Sequence, residues 1–304
     1  MKYFVTSDIH SFFSAFKQAL DEAGFDKKNK EHILIVDGDL LDRGEETLKT
    51  IKFIKSIPKS RRILIRGNHE YLFRDLVRRG KALEHDYANC TLKSLLNLNK
   101  EESIFTFDYC ITTKVTSDYV KWIESDEWVN WYDLDLPEEK FTFVHAFIPL
   151  INNSDLPIYY PGPCRLKYNK DWRTTSTKKE IEESTWGCPW EFFDAGLFPE
   201  NRTLVCGHWH VGANDTAESF WAHYTAMNLI SSKNPTEEEI IVNQNIISRA
   251  ASRNSIFRGE RIIALDACTT YSGKVNVMVI DDQGKTYQYG KELPKFIVKK
   301  KFIV

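Results

Sequence analysis

The sequence predicts an α/β fold built on a parallel sheet. Two observations carry this. The first seventy residues alternate short apolar runs with amphipathic helical runs. Each apolar run also ends in a cluster of Asp, His, Asn or Arg. In open α/β sheets, sites form outside the carboxyl ends of the strands, so three strands delivering polar clusters to one edge point to a functional site.

KYFVTSDI (2–9) reads as the first strand. FFSAFKQALDEAG then places Phe12, Phe16, Ala19, Leu20 and Ala23 at helical spacing, with Gly24 as C-cap. HILIVDGD is a second buried strand. ETLKTIKFIKSI puts Leu48, Ile51, Ile54 and Ile57 on one helix face, and Pro58 stops it. RRILIRGN is a third strand. This β-α-β-α-β order implies parallel strands joined by right-handed crossovers. Residues 71–138 read as a helical, tryptophan-rich insertion with Trp122, Trp128 and Trp131. FTFVHAFI (141–148) returns as a strand ending in histidine, and RTLVCGHWH (202–210) as another. Residues 152–190 are loop-rich, and 214–260 are polar with one helical pattern, EEEIIVNQNIISRAAS. After RIIALDA, KVNVMVIDDQGKTYQYG reads as a hairpin turning at Asp282–Gly284. The expectation is one domain over 1–304, with an insertion at about 71–138 and a variable segment at about 211–260.

Composition narrows the function classes. Lys and Arg number 41 against 43 Asp and Glu, a formal net charge of −2. That gives no global basic surplus for nonspecific nucleic-acid binding, and leaves a local basic groove open. MKYFVTSDIH has no secretory h-region, and no apolar run approaches the ~18 residues of a membrane span. Cys90, Cys110, Cys164, Cys188, Cys206 and Cys268 are scattered without a CxxC pair. They are expected to be free thiols in a cytoplasmic protein.

VDGDLLDRGEE (36–46) crowds Asp37, Asp39, Asp42 and Arg43 together. Carboxylates repel one another and resist dry surroundings, so solvent, the arginine or a metal ion must compensate them. The other strand-end residues are Asp8 and His10, then Asn68 and His69, then His145, then His208 and His210. This mixed oxygen and nitrogen set suits Mn2+, Fe or Zn2+ better than Ca2+. Two cations about 3.5–4 Å apart can share one aspartate. Asp39, central in the richest cluster, is the bridging candidate. Asp37 faces the other way along its strand and is expected to make a structural hydrogen bond. Asp8 as a helix N-cap would leave His10 unexplained. Asp42-Arg43 as a plain salt bridge, Asn68 as a turn residue and His145 as a core histidine are the bland alternatives. Glu70 is expected to support a loop or helix start, and His32, His85 and His223 to be surface or packing residues.

SDIHS, GDLLDRG, RGNHE, VHA and GHWH, in that order, resemble the calcineurin-like metallophosphoesterase superfamily. DRG and GNHE resemble its serine/threonine phosphoprotein phosphatase branch in the bacterial and phage form, and LDACTTYSGKVNVMVID resembles the tail of that form. The resemblance runs from residue 3 to about 281. It implies an αββα sandwich of two mixed sheets flanked by helices. It implies two divalent ions, with Mn2+ first and Fe or Zn2+ as alternatives. Asp8, His10 and Asp39 would hold one, and Asp39, Asn68, His145 and His208 the other. His210 would complete the first site, as in the wider superfamily. His69 would be the general acid, oriented by Asp42, and Arg43 would clamp the phosphate. A metal-bridging hydroxide would be the nucleophile. The chain departs from the pattern at Ser11, where glycine is usual, and at Phe147, which could narrow the site or line a substrate wall. No motif marks a second phosphate-binding arginine; Arg165 and Arg173 are the candidates.

The implied function is hydrolysis of phosphomonoesters, serine/threonine-protein-phosphatase-like. A dinucleoside tetraphosphatase-like nucleotide hydrolase is the near alternative. A phosphodiesterase or nuclease, and a non-catalytic scaffold, are further ones; the retained ligand set argues against the scaffold. The substrate would be a phosphoprotein or a nucleotide, with no membrane partner, and nucleic acid and oligomeric state left open. The setting would be the cytoplasm of a bacterial or phage-infected cell. The Trp-rich insertion reads as a packing layer, with a base-stacking cap as the alternative.

Overall fold

The computed structural model describes residues 1–102, 106–152, 166–190, 197–199, 201–211 and 236–295. Three parallel strands form its heart: β1 (Lys2–Thr6), β2 (His32–Asp37) and β3 (Arg62–Ile65). The amphipathic runs between them fold as α1 (Phe13–Glu22) and α2 (Thr47–Ser56), as their periodicity predicts. Side chains alternate across each strand, so Phe4 and Leu34 face the helices while Tyr3, Val5 and Ile35 face the other way. Covered on both sides, β2 can be apolar almost throughout.

After β3 come α3 (Asn68–Arg79), α4 (Glu84–Ala88), α5 (Thr91–Leu98), α6 (Phe107–Thr112) and α7 (Lys114–Ile123). The segment expected to be helical through 138 instead ends in two strands. β4 (Trp128–Val129) pairs parallel with β3, and β5 (Tyr132–Asp135) pairs antiparallel with β6 (Lys140–Phe143). Aromatic and β-branched residues here favour a pleated, half-buried surface. The tryptophans pack. Trp122 and Trp128 meet edge to face with centroids 5.2 Å apart, and Trp131 meets Trp172 at 5.0 Å.

β12 (Met278–Ile280) pairs antiparallel with β1, and β13 (Thr286–Gln288) and β14 (Lys291–Glu292) extend that edge. The first sheet thus runs β14-β13-β12-β1-β2-β3-β4. The β12–β13 turn closes with Gly284 N–H donating to the Asp281 carbonyl at 3.2 Å, as the hairpin motif suggested. β7 (Ile151–Asn152) and β8 (Leu166–Lys167) pair antiparallel as a separate short ribbon. The second sheet, β10-β11-β9-β6-β5, adds β9 (Thr203–Cys206), β10 (Phe257–Arg258) and β11 (Ile262–Ala264); β6, β9 and β11 are parallel. Tyr3, Val5, Ile35 and Ile65 meet Phe141, Phe143, Val205 and Ile263 between the sheets. Helices cover the outside of the first sheet, and Trp172 and Trp190 pack with Leu204 and Ile262 outside the second. The result is the helix–sheet–sheet–helix order expected of the resemblance.

The polar helical pattern forms a helix at Glu237–Ser252. Much of the expected variable segment, 212–235, lies outside the described residues, as do Cys164, Arg165 and His223. Among the described residues, Cys90, Cys110, Cys188, Cys206 and Cys268 form no disulfide. Among the described residues, no helix is long and apolar enough to cross a membrane.

Candidate functional site

Because β1, β2 and β3 run the same way, their carboxyl ends open on one edge. The parallel β6, β9 and β11 bring three more loops to the sandwich. The chain leaves these strands through left-handed turns at residues that rarely adopt them. Asp8, His10, Ser11, Asp39, Asp42, Arg43 and His208 have φ of 51°, 49°, 59°, 53°, 74°, 64° and 66°. Such conformations strain a non-glycine residue by roughly 1–3 kcal/mol and tend to gather where function holds them.

Asp39 is the hub. His145 Nε2 lies 3.2 Å from its Oδ1, while His10 Nε2 and His69 Nε2 lie 3.7 and 3.8 Å from its Oδ2. Two groups of donor atoms, each within 4.8 Å, share it: His10–Asp39–His69 and Asp39–His145–His208. Asn68 Oδ1 is 2.9 Å from His145 Nε2, and His10 Nε2 is 3.9 Å from Asp8 Oδ1. The remaining ring nitrogens are anchored: His145 Nδ1 lies 2.9 Å from the Asp37 carbonyl and His10 Nδ1 2.9 Å from the Leu41 carbonyl. Each carbonyl can accept from the ring N–H, leaving Nε2 to face the centre. The His208 backbone N–H donates to both Asp8 oxygens, at 3.1 and 3.0 Å. Glu70 ties two loops together by accepting from the Asp39, Leu40 and Gly67 N–H groups at 3.0, 3.0 and 2.8 Å. That is the supporting role its place in RGNHE suggested.

The electrostatics are those of crowded carboxylates and dry imidazoles. Burial opposes charge on Asp39, but His145 and His69 beside it outweigh that and hold its carboxyl well below the usual range. His145 is raised, because Asp39 overcomes its burial. Burial, then Asp266, pushes Asp8 up. Burial, aided by Asp39, pushes Glu70 up to about 7. Burial, then the neighbouring histidine, lowers His10 and takes His208 down to about 3, which leaves both rings neutral with lone pairs to offer.

Beside the hub, His69 Nδ1 sits 2.6 Å from Asp42 Oδ2. Asp42 and Arg43 are therefore not a plain salt bridge. Arg43 lines a cavity of about 320 Å3 together with His10, Asp39, Asn68, His69 and His208. A wider hollow of about 680 Å3 opens at the start of β6 and β9. Its Arg202 and Arg261 are committed to Asp135 and to the Phe198 and Pro199 carbonyls, and its lining holds no histidine. The smaller, histidine-lined cavity is the chemical site.

The structure gathers Asp8, His10, Asp39, Asn68, His69, His145 and His208, and it places His210 at the cavity wall. His210 Nε2 is 3.8 Å from Asp266 Oδ2 and joins neither donor group. Several expectations need correction. Asp37 makes no structural hydrogen bond through its side chain: both oxygens lack a partner among the described residues, and burial pushes its carboxyl up to about 8. Its backbone carbonyl, facing His145, is what the site uses. Phe147 is buried against Phe198 and does not line the cavity. Arg173 is held by Asp133 at 2.7 Å and by Thr142, so it is not a free phosphate clamp. Trp122, Trp128 and Trp131 do not line the cavity either; Trp186 and Trp209 do. Sequence reasoning missed Asp266, which follows β11, is buried in the lining, and is pushed up to about 7 by burial. RIIALDA carried the signal, an apolar run ending in a carboxylate.

The residues fit a pair of divalent cations. A carboxylate flanked by imidazoles on both sides is the donor set such ions need. Glycines beside these donors leave no room for a side chain. A Cβ on Gly38 would lie 2.2 Å from His145 Nδ1, and one on Gly207 would lie 2.1 Å from Asp8 Oδ2.

The family model for the calcineurin-like phosphoesterases matches residues 1–212. A curated relative from Psychromonas ingrahamii, named symmetrical bis(5'-nucleosyl)-tetraphosphatase, is 32% identical over 107 residues, 35% of this chain and 37% of that protein. A protein of the same name from Wigglesworthia glossinidia brevipalpis is 36% identical over 70 residues, 23% of this chain and 25% of its own. The match thus spans well under half the length of either relative. A solved cold-active protein tyrosine phosphatase of a psychrophilic Shewanella is 12% identical, with a TM-score of 0.43 over 96% of this chain and 80% of its own. With its motifs at the strand ends and its family match across residues 1–212, the chain belongs to the calcineurin-like phosphoesterases.

Proposed function

We propose that the chain is a dinuclear metal-dependent phosphatase acting on phosphomonoesters. The observation that carries the reading is Asp39, with His145 on one side of its carboxylate and His10 and His69 on the other. Asp8, His10 and Asp39 would hold one cation, with His210 near it; Asp39, Asn68, His145 and His208 would hold the other. Mn2+ suits the mixed donor set, with Fe or Zn2+ as alternatives. Once bound, the cations would neutralise phosphate charge and make water a stronger nucleophile at neutral pH. The chain's own residues do the rest. Arg43 presents a planar fork to two phosphate oxygens. His69 hands the proton on Nε2 to the departing oxygen, and Asp42 holds the ring through Nδ1.

A second reading, a dinucleoside tetraphosphatase, is favoured by the names of the curated relatives. Trp186 and Tyr271, about half exposed on the cavity wall, could take a base. A substrate panel with Mn2+ separates the two. It contains p-nitrophenyl phosphate, a phosphothreonine peptide, a dinucleoside tetraphosphate and a phosphodiester, each tested on wild type and His69→Ala. Fast turnover of the monoesters or peptide, with a loss of about 10²-fold or more in the variant, supports the first reading. Preference for the dinucleotide replaces it with the second. Silence on all four with metal bound defeats both.

A further inference from the structure

The helical segment between β3 and β4 touches the Asp42–Arg43 pair at three points. The Thr91 hydroxyl donates to Asp42 Oδ2 at 2.8 Å. The Asp42 N–H donates to Ser94 Oγ at 2.8 Å. Arg43 Nη2 donates to Asn89 Oδ1 at 3.1 Å. The amide of Asn89 is itself oriented, because its Nδ2 donates to the His85 carbonyl at 2.9 Å. Thr91 opens α5 directly after Cys90, whose φ is 59°. Leu95 and Leu98 anchor the same helix in the core beside the first sheet.

Burial gives these contacts their force. Asp42, Thr91 and Ser94 are each 0% exposed, so water cannot take over a lost hydrogen bond. Asp42 Oδ2 receives two donors, His69 Nδ1 and Thr91 Oγ, while Oδ1 has no partner among the described residues. The terminal torsion of an aspartate is broad on its own. With both donors on one oxygen, the carboxylate keeps one rotation, and the imidazole plane follows it. Without Thr91, one of the two restraints is gone.

We propose that Thr91 and Asn89 are positioning residues of this site: Thr91 fixes the Asp42 carboxylate that orients His69, and Asn89 fixes the guanidinium plane of Arg43. The inference rests on the phosphoesterase reading above. In that reaction the bond between phosphorus and the leaving oxygen breaks, and the hydroxyl of a water joins phosphorus. His69 gives its Nε2 proton to the leaving oxygen, which departs as an alcohol. The water's other proton goes to solvent, and the ring is reprotonated from solvent. Thr91 acts only on the proton delivery. A poor leaving group therefore feels its loss, whereas p-nitrophenolate, which departs without a proton, does not.

The test compares kcat/KM for ethyl phosphate and for p-nitrophenyl phosphate in wild type, Thr91→Val and Thr91→Ser. The expected result is a loss of about tenfold or more on ethyl phosphate in T91V, a loss under about threefold on p-nitrophenyl phosphate, and recovery of most of the activity in T91S. Equal losses on both esters would mean general damage to the site and would overturn the role of Thr91. If T91V does not fold, Thr91→Cys, a weaker donor of similar size, gives the same comparison. Asn89→Ala, at a half-buried site, should raise the inhibition constant of inorganic phosphate by about threefold or more, and an unchanged constant overturns that half. No turnover of either ester by the metal-loaded wild type would overturn the phosphomonoesterase reading, and this inference with it.

Discussion

A side-chain carbon on Gly67 would fall 2.2 Å from Asp39 Oδ1. The backbone after β3 thus runs against the carboxylate proposed to be shared by two cations, and only a hydrogen fits between them. Gly67→Ala should push Asp39 off its place while leaving the hydrophobic cores untouched, since the site lies at the sheet edge. The expected outcome is less than half the wild-type metal per chain, with activity falling about 10²-fold and the circular dichroism spectrum unchanged. Elemental analysis of dialysed protein checks it. Full metal content in the variant would contradict the place assigned to Asp39.

Asp42 and His69 make a second, separable prediction. Asp42→Asn keeps the shape but offers a neutral amide to His69 Nδ1, 2.6 Å away. The ring exchanges a charged acceptor for a weaker neutral one, which can also turn its NH2 group toward the ring. Turnover of ester substrates with poor leaving groups should fall by about 10²-fold or more, with metal content intact. Steady-state kinetics beside elemental analysis checks this. A matching loss of metal would show that Asp42 serves the hub and not the acid.

Cation binding should also stabilise the fold. Asp8, Asp37, Asp39, Glu70 and Asp266 are buried close together, and all but Asp39 have carboxyls pushed up. A cation that binds only the folded chain adds RT ln(1 + [L]/Kd), about 2.7 kcal/mol at a hundredfold excess over Kd. Melting curves with Mn2+ should move to higher temperature, and a chelator should reverse the shift. Asp39→Asn should show almost none of it. A shift of full size in that variant would place the cation elsewhere.

The parallel half of the first sheet was legible because strand and helix periods alternate cleanly through residue 70, and each motif sits where a strand ends. Two kinds of feature were not. Trp128–Val129 and Tyr132–Asp135 are too short to show a period, and only tertiary pairing makes them strands. Side-chain commitments were also hidden. Nothing in the sequence says that Arg173 belongs to Asp133, or that Asp37 contributes its carbonyl while its carboxyl has no partner among the described residues. Asp266 went unread because a lone carboxylate after a strand has meaning only once the other five loops are seen around it.

Glu127 gives a prediction about stability that is independent of the site. Its carboxylate accepts from Arg62 Nη2 at 2.5 Å and Trp122 Nε1 at 3.1 Å, and Lys59 Nζ lies 2.6 Å away. These contacts tie the start of β3 to the loop after α7. Burial alone would raise its pKa; the hydrogen bonds from Lys59, Arg62 and Trp122 outweigh it and bring the carboxyl down from 4.5 to about 2. A carboxyl depressed in the folded state adds stability above its unfolded pKa and loses it as pH falls through the folded one. Glu127→Gln should therefore melt below wild type at pH 7. The gap should begin to narrow below about pH 4.5 and close near pH 2. Acid titration of the other carboxylates lowers both proteins alike, so the difference between the two curves isolates Glu127. A gap that stays constant between pH 7 and pH 2 would show that Glu127 stabilises the chain by shape and not by charge.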